Sequence, residues 1–137
     1  MTFPNLCNIS SVSLVLILTI LLSACQTPVS VNPKQDGGAT AKYQINSLTA
    51  ELETDMDTVF RASIQALDML GYFRTGEVHE EESITIFSRK VGDEKIFVHI
   101  FQEAAEKVLI QIRIGILGNL PESQTILAEI QDIIMNQ

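Results

Sequence analysis

The side chains with the widest chemical reach in these 137 residues are two cysteines, Cys7 and Cys25, and two histidines, His79 and His99. His79 runs straight into Glu80, Glu81 and Glu82, residue types that could hold a metal ion if they converged. Consecutive residues in a strand or turn point apart, whereas a metal needs donors aimed at one centre. The run therefore reads as a solvated acidic turn. His99 lies between Phe97 and Phe101 on alternate positions, with no Ser or Cys placed by spacing to use it as a base. It reads as a structural or surface histidine. The chain has no Gly-rich phosphate loop, no zinc-ligand spacing and no nominated pair of carboxylates. The expectation is a protein that is not an enzyme, with no catalytic residue, no metal site and no cofactor.

Cys25 differs because of what precedes it. Residues 12–24 form an apolar run of 13, interrupted by Ser13, Thr19 and Ser23. A membrane-spanning helix takes about 20 apolar residues and the core of a signal peptide roughly 7 to 15, so the length favours a signal peptide over residues 1–24. Its end, Leu22-Ser23-Ala24-Cys25, resembles the bacterial lipobox: an aliphatic residue, a small residue, Ala or Gly, then Cys. Small residues there let extended backbone enter a peptidase cleft. The resemblance implies lipidation of the Cys25 thiol and a lipoprotein of the cell envelope. Residues 1–24 contain no Lys or Arg, so only the terminal amine supplies the positive charge usual at the start of such a segment. Two or more acyl chains anchor stably where one does not, each buried CH₂ contributing about 0.8 kcal/mol. The next residue is Gln26 rather than the Asp that typically retains such proteins at the inner membrane. Where a cell has two membranes, the pattern thus implies the outer one, facing the periplasm.

Cleavage before Cys25 would leave 113 residues, enough for one small domain with its own core. The formal charge of −8 belongs wholly to that part, because residues 1–24 carry no charged side chain. So acidic a chain argues against nucleic acid and anionic headgroups as partners. With Cys7 removed and Cys25 carrying lipid, no disulfide can form within one chain even in an oxidising compartment.

Positioning falls to the elements that follow. Residues 26–42 hold Pro28, Pro33, Gly37 and Gly38 among polar residues without apolar period, which predicts a flexible tether. Its 17 residues would reach about 58 Å when taut and about 23 Å as a coil. The single domain is expected over residues 43–137. Tyr43, Ile45, Leu48, Ala50 and Leu52 alternate as in a half-buried strand, with a parity shift that suggests a bulge or a late start. Thr54 or Asp55 can cap a helix whose stripe is Met56, Val59, Phe60, Ile64, Leu67 and Leu70, closed by Gly71. A weak strand over 72–79 and three stronger ones over 83–90, 94–102 and 107–117 follow, and their short links imply antiparallel hairpins. In the last, Val108, Ile110, Ile112, Ile114 and Ile116 share the face expected to be core. Pro121 suits a first helical turn, and Ile126, Leu127, Ile130, Ile133 and Ile134 form a second stripe. The pattern predicts an α+β two-layer sandwich, an antiparallel sheet of about five strands with two helices on one face, in the order β-α-β-β-β-β-α.

Tyr43, the Ala66-Leu67 to Leu70-Gly71-Tyr72 helix end, and Ile112-Arg113-Ile114-Gly115 followed by Gly118 resemble a family of small bacterial lipoproteins carrying a domain of unknown function. Asn119 stands where such proteins commonly have an acidic residue. The resemblance implies the fold and the address, and no activity.

The strand over 94–102 is apolar on both faces, with Ile96, Val98 and Ile100 on one and Phe97 and Phe101 around His99 on the other. A sheet covered on one side should be polar on its second side. Register decides which face is core: a two-residue turn at Gly92-Asp93 pairs Ile86 with His99, and a loop of odd length pairs Ile86 with Val98. The odd loop keeps the histidine out of the core and is preferred. Phe87, Phe97, His99 and Phe101 then lie outward beside Arg89 and Arg113, as an interface for an envelope protein or a second copy would. The leading expectation is a non-catalytic interaction module of the envelope. The alternative is a small-ligand carrier, or an enzyme with a dispersed site.

Overall fold

The computed structural model describes residues 27–29 and 41–137. Its strands are β1 (Thr27–Val29), β2 (Ala41–Gln44), β3 (Ser47–Leu52), β4 (Phe73–His79), β5 (Ser83–Arg89), β6 (Lys95–Ala104) and β7 (Lys107–Ile114). Helix α1 (Met56–Met69) falls between β3 and β4, and α2 (Leu120–Met135) closes the chain. All strands join one antiparallel sheet in the order β1-β2-β3-β7-β6-β5-β4. Both helices pack on one face of it, giving the expected α+β sandwich.

Seven strands rather than about five arise at the start of the domain. The parity shift between Ile45 and Leu48 is neither a bulge nor a late start. It is a two-residue hairpin turn, with Ile45 and Asn46 at φ 48° and 64°, and Gln44 opposite Ser47. The sheet also begins earlier than Tyr43. Ala41 and Lys42, read as the end of a tether, belong to β2, and Ala41 is fully buried. Thr27–Val29 pairs with β2 as the outermost strand. The predicted signal segment and Cys25 lie outside the described residues.

The core is one layer of aliphatic rows. Ile86, Val98, Ile112, Leu48 and Tyr43 follow one another across β5, β6, β7, β3 and β2, and Ile84, Ile100, Ile110, Ala50 and Ala41 form the next row. From the helices come Val59, Ala62, Ala66 and Leu67 on α1, and Ile126, Leu127 and Ile130 on α2. The small residues on α1 let the helix approach the sheet closely, while Met56, Phe60, Ile64 and Leu70 from the predicted stripe pack at its margin. Asp55 caps α1 by accepting the Thr58 N–H at 2.9 Å. Hydrogen bonds from Thr58 hold its carboxyl below the usual range. At the other end, Gly71 has φ 76°, and the Tyr72 N–H returns to the Leu67 carbonyl at 2.9 Å.

Ile116 corrects the reading of the last strand. It is exposed rather than core, because β7 stops at Ile114 and Gly115 turns the chain at φ 63°.

Candidate functional site

The five-residue link 90–94 between β5 and β6 places Ile86 opposite Val98 and Phe87 opposite Phe97. The odd loop is thus the one formed, and Ile96, Val98 and Ile100 are fully buried. The face turned from the helices carries Phe87, Phe97 and Arg113 in one row, then Thr85, His99, Gln111 and Thr49, then Phe101 beside Leu109. The structure therefore gathers all five residues singled out from the sequence, Phe87, Phe97, His99, Phe101 and Arg113, on one surface.

The rings interlock. Phe87 meets Phe97 edge to face with centroids 5.7 Å apart. The Arg113 guanidinium lies 4.8 Å from the Phe97 centroid, a cation–π contact. His99 stacks on Phe101 at 3.8 Å. Beside them is an open concavity of about 440 Å³ whose lining includes Ser47, Thr49, Phe97, His99, Gln111 and Arg113. Gln111 Nε2 donates to Ser47 Oγ at 2.9 Å, which donates to the Gln44 carbonyl at 3.0 Å. His99 Nε2 is buried and has no hydrogen-bond partner among the described residues. Burial pushes the imidazole below its ordinary 6.5, against the smaller opposite pull of Glu80, so the ring is neutral at pH 7. Ser47, Thr49, Thr85 and Gln111 were not singled out from sequence. Alternation around His99 suggests a second row, but only pairing across four strands brings these residues beside it.

Charge is unevenly spread. The outward strand positions carry Lys42, Arg89, Lys95, Lys107 and Arg113 against Glu51 and Glu103, a net +3 on a chain of formal charge −8. Lys107 is held by Glu51 and Glu103 at 3.1 and 2.9 Å, whereas Arg113 has no carboxylate partner among the described residues. The sum read from sequence hides a basic, aromatic face.

A second polar cluster is structural. Tyr72 Oη donates to Glu122 Oε1 at 2.8 Å, and Lys90 Nζ reaches Glu122 and Glu94 at 2.7 and 2.9 Å. Asn119 caps α2 through the Glu122 N–H, and its own amide donates to the Glu122 carboxylate at 2.9 Å. Burial first, then Glu122, pushes the Tyr72 hydroxyl up to about 12. For Glu122, burial acts upward and is outweighed by the Lys90 and Tyr72 hydrogen bonds, which hold the carboxyl low. His79 bonds Glu77 at 3.2 Å and meets Phe60 edge-on, so it packs beside α1 rather than gathering the glutamates that follow it. Among the described residues, no three of His, Cys, Asp and Glu are grouped as a metal would require. No helix among them is long and apolar enough to cross a membrane.

Residues 9–133 match a family described as "Protein of unknown function (DUF3568)". The chain belongs to the DUF3568 family. No curated protein matches the chain. In this DUF3568 member, the residues that carried the sequence resemblance collect near one end of the sheet. Tyr72 joins the Glu122 cluster, and Tyr43 lies against Gly118.

Proposed function

We propose that this DUF3568 chain is a lipid-anchored envelope protein that captures a protein partner on the open face of its sheet and carries out no chemistry itself. The observation that supports this most is the row Phe87–Phe97–Arg113, half-buried rings under a guanidinium with no carboxylate partner among the described residues, on a sheet whose other face is already filled by two helices. Aromatic and Arg side chains dominate binding energies at interfaces. The net positive charge of the face favours a partner presenting acidic groups around an apolar patch. The anchoring half of the reading rests on Leu22-Ser23-Ala24-Cys25.

One observation favours a second reading. A concavity of about 440 Å³ with an unpartnered His99 nitrogen is large enough for a small ligand, since such sites run from about 300 to 1,000 Å³. The two readings separate by mutation. Capture from membranes is expected to fall in Phe97→Ser and Arg113→Glu if a protein binds. A co-purifying small molecule lost in His99→Ala, with protein capture intact, would favour the carrier. For the anchor, Cys25→Ala is expected to abolish incorporation of labelled lipid and leave an uncleaved precursor. Label on that variant would end the lipoprotein reading.

A further inference from the structure

The two ends of the sheet differ in chemistry. At one end lie the β3–α1 link (53–55), the β4–β5 turn (80–82) and the β6–β7 turn (105–106). These carry Glu53, Asp55, Glu80, Glu81, Glu82 and Glu106, and no Lys or Arg. At the other end lie the β2–β3 turn (45–46), the β5–β6 link (90–94), which carries Lys90, Asp93 and Glu94, and the β7–α2 link (115–119). There Ile45, Val91, Ile116 and Leu117 are 88, 86, 90 and 82% exposed. Single exposed aliphatics are ordinary, but four on neighbouring loops are not.

These loops are held together. Asn46 Nδ2 donates to the Ile116 carbonyl at 3.2 Å, clamping the β2–β3 turn to the β7–α2 link. The Gly115 N–H donates to the Lys95 carbonyl at 2.8 Å, fixing the same link against the start of β6. Ile45, Ile116 and Leu117 thus form one apolar knob on a rigid base. Strand β1 runs antiparallel to β2, with Thr27 opposite Tyr43 and Val29 opposite Ala41. Its N-terminal end therefore points toward the knob. Cys25 precedes Thr27 by two residues, a distance that the chain can stretch to about 7 Å at most.

We propose that this end of the domain, led by Ile45, Ile116 and Leu117, seats in the bilayer interface beside the lipid on Cys25. The inference rests on the lipoprotein reading above. Apolar side chains leave water on entering the interface, and an anchor already in the bilayer makes the second contact effectively intramolecular, so a small knob suffices. The acidic loops at the far end then face away from headgroups. The open sheet face stands clear of the membrane for its partner.

The chain has no Trp, so one introduced indole reports its own surroundings. The full lipidated protein is reconstituted in phosphatidylcholine–phosphatidylglycerol vesicles whose acyl chains are brominated near the interface, as Leu117→Trp, Ile116→Trp and, at the acidic end, Glu81→Trp. Mass spectrometry of each sample records the lipid on Cys25. The expected result is loss of about half or more of the emission for the two knob variants, as for groups lying at the headgroup–acyl boundary, and no loss for Glu81→Trp. Lipid present with equal or absent quenching overturns the proposal and leaves the lipoprotein reading intact. Blue-shifted emission without quenching means that a second copy or another protein covers the knob, and equally overturns it. Protein without lipid overturns the lipoprotein reading and the proposal with it.

Discussion

The charge of His99 follows from where pairing across the sheet puts its ring. Burial disfavours the imidazolium, so the folded chain binds a proton at lower pH than the unfolded chain, whose histidine titrates near 6.5. As pH falls through about 6.5, the unfolded chain takes up a proton that the folded chain refuses, and stability drops until the folded histidine titrates too. Melting temperature is expected to decline between pH 7 and 5, and His99→Gln to flatten part of that decline. Identical slopes in the two proteins would contradict the burial of His99. Glu122 and Asp55 are shifted in the same direction as His99, but in the carboxylate range. Their carboxyls are held low, so their contribution is present above the ordinary carboxylate range and is lost only as pH falls below it. The alternation that turns His99 from the core is legible in the sequence as Phe97-Val98-His99-Ile100-Phe101. What surrounds the ring is not, because Thr85 and Gln111 come beside it from other strands.

At the scale of elements, the helices and the strands β5 to β7 are readable because their apolar periods are long and the helix ends are marked by Asp55, Gly71 and Pro121. The β2–β3 hairpin is not. Two-residue turns that need positive φ at both positions usually advertise themselves as Asn-Gly or Asp-Gly, and here the pair is Ile45-Asn46, with a β-branched residue at φ 48°. The end of β7 misleads for a related reason, since aliphatic alternation continues to Ile116 past the glycine that breaks the strand. Gly118 is the most constrained glycine of this corner. It has φ 76°, and a Cβ there would collide with the Tyr43 hydroxyl and with Asn46 backbone. Gly118→Ala is expected to destabilise by about 2 kcal/mol or more. Gly76 has negative φ and open space around it, so Gly76→Ala should shift the denaturation midpoint little. Equal midpoints for the two variants would show that the corner is not held as described.

The whole molecule is polarised in two directions: a filled core face against an open aromatic face, and an end with exposed aliphatic side chains against an acidic end. Composition conceals both, because a formal charge of −8 averages over them. The boundary of the domain follows from packing. A chain beginning at Ala41 keeps β2 and is expected to melt cooperatively, near the full chain. One beginning at Ser47 loses buried Ala41 and the Tyr43–Gly118 contact and should melt markedly lower. The central claim, that the sheet has one structural face and one binding face, is tested most directly on adjacent residues of β6. Val98 is fully buried and Phe97 is half-buried on the opposite side. Val98→Ser is expected to cost about 2–4 kcal/mol through lost packing and a buried hydroxyl. Phe97→Ser should cost about 1–2 kcal/mol, from its contacts with Phe87 and Arg113, and leave the domain folded while abolishing partner capture. The measurement is a denaturation curve and a capture assay on the two variants side by side. An unfolded Phe97→Ser with an intact Val98→Ser, or full capture by Phe97→Ser, would contradict it.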